Sequence, residues 1–274
     1  ISAVIKRIAS AAWLVAAKEG EINDALINEC IDISLSEMDV EVSVCSEIAA
    51  QMYAFVSSES FDSRDNNIYM IVDVGAGTLD ASTFYVSRST DGAWRFVTYA
   101  SSVEFNGSVN LHRARILWLI DTIKKSHPDR VDIVESLAST MKNTDCLAEI
   151  PGSLYAYISQ MDLQFIDGSQ KPDTVFRNKN VSPQVYGVYH QSWRDAGVPK
   201  TQLADLPTFY CGGGMRMPFY KNIPELFDRK TPNFSWIHPV PRKLTVPDRL
   251  LAPGLKSDDY DRVSVAYGLA LMGK

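Results

Sequence analysis

The chain has 274 residues, of which 46% are hydrophobic and 22% charged, and its formal net charge is −6 at pH 7. This composition is that of a globular protein with a sizeable core, built as one large domain or two ordinary ones. The negative charge argues against a broad nucleic-acid or anionic-membrane surface, and no run approaches the roughly 18 apolar residues of a membrane span.

The first quarter of the chain alternates between helical and strand-like patterns. Residues 1–18 predict a helix, because apolar residues recur at helical spacing, whereas residues 19–38 give mixed signals. VEVSV (40–44) alternates like a strand, and IAAQMYAFVS (48–57) predicts a packed helix. The chain starts with isoleucine, directly in the helical pattern, which suggests the later part of a longer protein or a processed one.

Three strands are predicted in the next segment. IYMIVDV (68–74) is a continuous apolar run, typical of a sheet that is covered on both faces. Residues 81–88 and 94–102 also read as strands, and a glycine turn and an Asp-Gly turn join the three into an antiparallel meander. A helix is predicted over 109–125.

The second half mixes both element types. Helices are predicted within 129–143, 183–196 and 260–273, strands within 153–165, and a strand, a glycine turn and a helix within 206–227. Residues 228–259 hold five prolines and predict loop or edge structure.

Cysteine and histidine spacing points to no metal or disulfide framework. The four cysteines are Cys30, Cys45, Cys146 and Cys211, with no short paired spacing, and the four histidines are scattered. Neither a zinc site nor disulfide pairing is indicated. We therefore expect a reducing, cytoplasmic location.

The turn DVGAGTLD (73–80) carries the first chemical signal. Gly75 and Gly77 would let the backbone adopt positive φ and approach a ligand, successive amides there can hold an anion, and the Thr78 hydroxyl can donate to a phosphate. Asp73 and Asp80 would repel a phosphate unless a magnesium ion lay between. The turn therefore favours a magnesium–nucleotide site; the alternative is an ordinary tight hairpin with an acidic tip.

A second glycine turn follows the strand-like TFYC. Gly212, Gly213 and Gly214 precede a helix predicted to begin near Met217 and Pro218, where proline suits the first turn. Such a turn permits close contact with a flat group or with a phosphate at the helix N-terminus. The alternative is a crowded strand-to-helix turn without a ligand.

Four motifs resemble the actin and heat-shock-chaperone ATPase superfamily, and they follow one another along the chain in the same order as in that superfamily. DVGAGTLDASTF is similar to its second phosphate loop, and YCGGGMRMP to its adenosine loop in the form of DnaK-type chaperones. SEIAAQMYAF resembles the connecting helix with its catalytic glutamate, and SVAYGLAL the final core helix. The resemblance implies an α/β fold: a ribonuclease H-like lobe with a small inserted α+β subdomain.

The resemblance also assigns residue roles. Asp73 would hold a magnesium-bound water or orient the attacking water, Asp80 would support the turn and the outer shell of the metal, and Glu47 would help place the metal or the water. Glu47 has an alternative role as an acid favoured at a helix N-terminus. Nucleotide contacts are implied for Gly75, Ala76, Gly77 and Thr78 at the β and γ phosphates, and for Gly212, Gly213, Gly214 and Arg216 at adenosine.

Arg216 would stack near the base, or it is simply a surface charge. The sequence departs from the family at several places: its first phosphate loop, D-x-G-T-T, does not occur, and Ser46, Ile48 and Ala76 stand where relatives have asparagine, proline and glycine. With one phosphate loop missing, the chain alone is expected to hold half of the site and to hydrolyse ATP negligibly.

The implied organisation has four parts. They are a first-lobe remnant with the connecting helix (1–58), the second-lobe sheet with the phosphate loop (59–125), the inserted subdomain (126–185), and the adenosine loop with the final helix (186–274). The intact protein is expected to bind ATP or ADP with Mg²⁺ and to couple slow hydrolysis to lobe closure. A protein client or co-chaperone is an implied partner; a degenerate nucleotide-binding scaffold, an actin-like filament protein and a sugar-kinase relative stay open as alternatives.

Overall fold

The computed structural model divides the chain into two compact units, residues 1–50 and 51–274. The residues that it describes are 2–18, 20–36, 42–58, 61–142, 150–159, 161, 171–226 and 235–272. The domain boundaries predicted at 58, 125 and 185 stay predictions.

The first unit is built on two helices that pack against each other, α1 (Ser2–Ala17) and α2 (Asp24–Ser36). The predicted first helix is confirmed. A surface ion pair of 2.7 Å joins Lys18 Nζ to Glu29 Oε1, and Cys30 is buried. The strand predicted from VEVSV is wrong for residues 42–44, which form no regular element; residues 40 and 41 lie outside the described part.

Helix α3 (Glu47–Val56) confirms the predicted packed helix. From Gln51 onward its residues belong to the second unit. There Phe55 meets Tyr69 and Phe209 edge to face, with ring centroids 5.6 and 5.0 Å apart.

The second unit is organised around one mixed sheet. Its strands are β1 (Ile68–Val74), β2 (Leu79–Arg88), β3 (Trp94–Glu104), β4 (Pro207–Cys211) and β5 (Val240–Arg242), in the order β3-β2-β1-β4-β5. β1, β2 and β3 form the predicted antiparallel meander, while β4 is parallel to β1 and β5 is parallel to β4. The carboxyl ends of β1, β4 and β5 therefore meet at one edge.

Both faces of β1 are covered, as its continuous apolar sequence predicted. Met70, Val72 and Val74 point to one face and join a core cluster with buried residues of the helix at 182–194. Tyr69 points to the other face, where Phe55 of α3 packs against it. The chain is therefore of the α/β class in its broad sense, with helices on both sides of a sheet.

Helices account for most of the remaining described chain. They are α4 (Ser108–Ser126), α5 (Val131–Lys142), α6 (Leu154–Ile158), α7 (Pro172–Phe176), α8 (Ser182–Arg194), α9 (Lys200–Leu203), α10 (Pro218–Lys221) and α11 (Ser264–Met272). A π-helical turn (Arg177–Val181) joins α7 to α8, and 3₁₀ turns occur at Gly213–Arg216, Pro224–Leu226 and Ser257–Arg262. No helix in this part of the chain has the length and apolar character that crossing a membrane requires.

The strands predicted within 153–165 are wrong where they can be examined. Ser153 caps α6, since its side chain accepts a hydrogen bond of 3.4 Å from the Ala156 amide. Tyr157 is buried in a cluster with Ile116 and Leu119 of α4. Capping and packing against a helix therefore override the alternating pattern; residues 160 and 162–165 lie outside the described part.

A buried arginine ties α4 to the segment that follows α5. Arg115 is fully buried, and its guanidinium binds Asp173 at both carboxylate oxygens, at 2.7 and 2.8 Å. It also donates to the carbonyl oxygens of Pro151 and Gly152. Asp173 is thus the counter-charge of the Arg115 guanidinium. Without it the buried cation would be strongly unfavourable.

We predict that Asp173→Asn lowers the free energy of unfolding by about 3 kcal/mol, because it leaves the Arg115 guanidinium buried without a counter-charge. Urea denaturation followed by circular dichroism measures the change. Asp132→Asn is the matched control, since Asp132 pairs with Arg130 on the surface and its loss should leave the midpoint unchanged. Equal midpoints for both variants would show that the buried pair does not hold the segment.

Candidate functional site

The two glycine turns lie side by side, although they are far apart in sequence. β1 and β4 are parallel neighbours, with Asp73 registered against Cys211. One turn (75–78) follows β1 and the other (212–214) follows β4, so both leave the sheet at the same edge. The crevice outside the carboxyl ends of parallel strands is where open α/β sheets bind ligands.

Two glycines of the second turn are required by packing on β1. Gly212 has a φ of 89°, and a side chain there would overlap Asp73 Oδ1 and lie 2.5 Å from the Val74 carbonyl oxygen. A Cβ at Gly214 would lie 2.8 Å from the same oxygen. Gly213 differs, because a Cβ there would meet nothing within 4 Å. The open position of this turn is therefore Gly213.

The first turn does not use positive φ. Neither Gly75 nor Gly77 is among the described residues with positive φ, so that part of the prediction is wrong. The turn closes instead through a 2.9 Å hydrogen bond from the Gly75 amide to the Thr78 carbonyl. A Cβ at Gly77 would meet nothing within 4 Å, and one at Gly75 would make only an ordinary 3.5 Å contact. The fold itself therefore does not require glycine at these two positions.

The N-terminus of α4 holds the first turn from one side. The amides of Ser108 and Val109 donate to the carbonyls of Gly75 and Ala76 at 3.2 and 2.9 Å. The carbonyl of Gly77 accepts from the Gly107 amide at 3.3 Å and from Asn110 Nδ2 at 2.6 Å. The turn is thereby fixed through its carbonyl oxygens.

The amides of the first turn point the other way. In a trans peptide the N–H is opposite the C=O of the same unit, so the amides of Ala76, Gly77 and Thr78 face away from α4. None of the three makes a hydrogen bond to the described residues. Ala76 and Gly77 are exposed. Three free amides on one tight turn are a suitable set of donors for an anion.

Gly107 is a site residue that the sequence analysis missed. A Cβ there would lie 2.6 Å from the Ala76 carbonyl oxygen and 2.7 Å from the Thr78 amide nitrogen. Its φ of −74° is ordinary, so the requirement for glycine is steric. A signal did exist: this glycine stands immediately before the predicted helix, where it lets α4 approach another backbone closely.

The two acids of the first turn stand directly opposite each other. Asp73 and Asp80 are register partners in the β1–β2 ladder, so their side chains share one face of the sheet. Like charges in this position repel. Asp80 Oδ1 is buried and has no hydrogen-bond partner within the described part of the chain. Burial raises the pKa of Asp80, an effect that its hydrogen bond with the Thr78 side chain partly opposes.

Asp73 is hydrogen-bonded at one carboxylate oxygen and lies close to a glycine with the other. Its Oδ2 accepts a 2.9 Å hydrogen bond from Gln51 Nε2 of α3, and its Oδ1 lies against Gly212. No group of three or more histidine, cysteine, aspartate or glutamate side chains is placed to hold a metal within the described ranges. The predicted role of Asp73, which acts on a metal through water, does not need such a group.

Arg216 lies next to the second turn and is already paired. Its Nη2 lies 2.8 Å from the Asp258 carbonyl oxygen and from Asp259 Oδ1, and 2.9 Å from Asp261 Oδ1. These bonds use the edge of the guanidinium, and a planar guanidinium can still stack on its face. Arg216 is thus an exposed charge that also anchors the 3₁₀ turn before α11, and its stacking role stays a prediction.

A cleft of about 320 Å³ opens beside Arg216. Its lining includes Gly212, Arg216, Lys221, Lys243, Asp258 and Asp261. Neither lysine was predicted, since no motif surrounds them. Lys243 directly follows β5, and only the parallel pairing of β4 with β5 brings it to this edge.

Glu47, the remaining predicted site residue, begins α3 and is exposed. It stands in the first turn of that helix, where the helix dipole favours an acid. Because it belongs to the first unit, its predicted action on a metal or a water stays a prediction.

No protein-family model matches this chain, and no curated protein matches it significantly. The function of the site therefore has to be inferred from its geometry and from the resemblance of its motifs.

We predict that Gly107→Ala and Gly212→Ala each lower the free energy of unfolding by about 1–3 kcal/mol, since either methyl group would overlap backbone or carboxylate atoms. Gly187→Ala is the matched control, because it lies within α8 and its Cβ would meet nothing within 4 Å. That variant should keep or raise stability, as alanine is the better helix former. Urea denaturation ranks the three, and a stable Gly107→Ala protein would contradict the close approach of α4 to the turn.

We also predict that Asp80→Asn raises the melting temperature at pH 7. A carboxyl whose pKa is raised by folding costs stability once the pH exceeds its folded pKa; below its ordinary value of 3.8 it is protonated in both states. The gain should therefore vanish in acid.

Asp91→Asn provides the control of opposite sign. The Ser89 hydroxyl lowers the pKa of Asp91, so its carboxylate adds stability at neutral pH that is lost as the pH falls. Its substitution should not raise the melting temperature at pH 7. Calorimetry between pH 3 and pH 7 separates the two, and a drop for Asp80→Asn at pH 7 would contradict the charge conflict.

Proposed function

We propose that this chain binds an adenine nucleotide with Mg²⁺ at the carboxyl edge of its sheet, as the second lobe of an actin-like or DnaK-like ATPase. One observation carries the proposal: the two glycine turns, predicted separately as a phosphate loop and an adenosine loop, lie side by side after β1 and β4. A nucleotide carries its phosphates and its adenosine on one small molecule. A phosphate loop and an adenosine loop can therefore bind it together only if they lie close to each other.

The space left around the turns supports the proposal. A Cβ added at Gly77 or at Gly213 would lie more than 4 Å from every described neighbour, and neither glycine is among the described residues with positive φ. Packing thus explains Gly107, Gly212 and Gly214 but not these two. A ligand that lies directly on the backbone does explain them, because a side chain would occupy its place.

The donor set also fits a phosphate with a magnesium ion. The free amides of Ala76, Gly77 and Thr78 suit phosphate oxygens. Asp73 and Asp80 suit the water shell of the metal, and Asp80 Oδ1 has no partner of its own. When bound, Mg²⁺ supplies the positive charge that lets two carboxylates and a phosphate share one turn.

The adenosine end is proposed at the second turn. Gly213 offers an open backbone surface, and Arg216 offers a guanidinium fixed at its edge by three oxygen atoms. An arginine held in this way loses little side-chain entropy when a flat ring stacks on it.

The finer fold assignment belongs to the same proposal. A ribonuclease H-like lobe is supported by the mixed sheet, in which the β1–β2 hairpin carries the phosphate loop, and by helices on both faces. The inserted subdomain expected over residues 126–185 is part of the same proposal, and α6 within it is helical where strands were predicted. A cytoplasmic location and a protein client are proposals without further support.

Catalysis in such a site is chiefly positional. The turn amides would orient the terminal phosphate, and Asp73 would orient a water, while no protein group forms a covalent bond to the substrate. Efficient turnover needs donors on the other side of the phosphate as well.

Binding without turnover is the second candidate function. One observation favours it: Asp73 is already engaged by Gln51 and lies against Gly212. A carboxylate that is hydrogen-bonded at one oxygen and packed on a glycine at the other supports the fold and has less freedom to act on a water. A nucleotide-dependent scaffold would use the site in this way.

We predict that MgADP binds this chain and that Asp73→Asn weakens binding about tenfold, the loss expected when a charged partner is removed. The loss should shrink in excess EDTA, because the carboxylate acts through the metal. Gly213→Val should weaken binding equally with and without Mg²⁺, since its side chain would occupy the place of the base or ribose. Titration calorimetry gives the four affinities.

Circular dichroism and the Gly187→Ala variant control for folding. The same magnesium dependence in Asp73→Asn and Gly213→Val would contradict the division into a metal end and an adenosine end. Absence of MgADP binding by the folded chain would contradict the proposed function itself. Phosphate release from ATP, measured on the same samples, separates a hydrolase from a scaffold.

A further inference from the structure

Gln51 is a buried glutamine that no predicted role uses. Its exposed fraction is 1%, and its side-chain amide donates to Asp73 Oδ2 at 2.9 Å. A buried polar side chain is unfavourable unless it is hydrogen-bonded, so the contact of Gln51 with Asp73 has a definite energetic role.

The bond fixes one of the two oxygens of Asp73. Rotation of the carboxylate about its last bond would break the hydrogen bond to Gln51 or press an oxygen into Gly212, whose backbone already lies against Oδ1. β1, α3 and the second glycine turn thus meet at this one side chain. Asp73, at the proposed metal end of the site, is therefore in contact with Gly212, at the proposed adenosine end.

We infer that Gln51 is a positioning residue for Asp73: it holds the carboxylate in the orientation that a magnesium-bound nucleotide requires. The inference rests on the proposed function and adds a component that the motifs do not contain. Its physical basis is that a hydrogen bond to an ionised acceptor is stronger and more directional than one between neutral groups. The position of α3 therefore affects metal-dependent affinity.

A purely structural role makes a different prediction. If Gln51 only filled space, Gln51→Met would preserve most of the volume, and any loss of affinity would be the same with and without metal. If Gln51 positions Asp73, the loss falls on the magnesium-dependent part of the affinity alone. That part is the ratio of the ADP dissociation constant in EDTA to that in Mg²⁺.

The experiment is a double-mutant cycle on the full 274-residue chain, with Gln51→Met, Asp73→Asn and the double variant. ADP affinity is measured with Mg²⁺ and with EDTA by titration calorimetry. We expect Gln51→Met to reduce the ratio by about three- to tenfold, no more than the loss expected for Asp73→Asn, because the carboxylate remains but loses the hydrogen bond that orients it. In the Asp73→Asn background, Gln51→Met should leave the ratio unchanged, because the charge that it orients is gone.

Gln184→Met is the matched control. Gln184 is also buried, on the opposite face of the β1–β2 hairpin, and its amide donates to the carbonyls of Leu79 and Ser102 and not to a carboxylate. It should lower stability and keep the ratio. Urea denaturation of all variants confirms that each is folded under the titration conditions.

The outcomes separate the inference from the proposed function. An unchanged ratio in Gln51→Met, with normal wild-type binding, overturns the positioning role and leaves nucleotide binding standing. The positioning role is also overturned if Gln184→Met lowers the ratio as much as Gln51→Met does. The same holds if Gln51→Met lowers the ratio equally with Asp73 and with Asn at that position, since a general loosening of the fold would then explain the effect. A wild-type chain that binds no ADP overturns both.

Discussion

The parallel pairing of β1 with β4 is the constraint on which the candidate site depends. It places Asp73 beside Cys211, and the chain must then leave both strands at the same edge. Gly212 and Gly214 are needed because two backbones meet there at a distance that no side chain allows. The hairpin from β1 to β2 adds Asp80, and the N-terminus of α4 packs on the turn between them. One strand pairing thus determines which residues become neighbours, and packing determines which of their glycines are structural.

Sequence patterns predicted local structure well where one physical cause dominates. β1 was predictable because its apolar run has no other stable use than burial on both faces, and α10 because a proline stands at its first turn. α6 was not, since Ser153 and a partner helix override its alternating pattern. The segment that holds the three-residue strand β5 was expected only as loop or edge structure, because it is rich in proline. Such short elements depend on their neighbours, which a local pattern does not contain.

The sequence predicted which motifs could form the candidate site, but it did not predict which other residues contact them. Motif resemblance identified Asp73, Asp80 and the two glycine turns. It gave no reason to look at Gln51, Gly107 or Lys243, because each reaches the candidate site only through a neighbour that is distant in sequence. The positive φ predicted for Gly75 and Gly77 was wrong, since neither is among the described residues with positive φ, while their close approach to a ligand stays a prediction. Side-chain contacts across a sheet are properties of the fold.

Several unfavourable features occur together at this edge of the sheet. Two acids oppose each other, a buried carboxylate oxygen of Asp80 has no hydrogen-bond partner among the described residues, and glycines stand where the fold would accept a side chain. The hydrogen bond between Thr78 and Asp80 offsets the charge conflict only in part. Proteins usually retain such conflicts where a ligand relieves them. A cation between the acids and an anion on the free amides would remove the conflicts together. In the function proposed above, magnesium and phosphate would fit this turn better as one ligand than either would alone, because each would neutralise the charge that otherwise excludes the other.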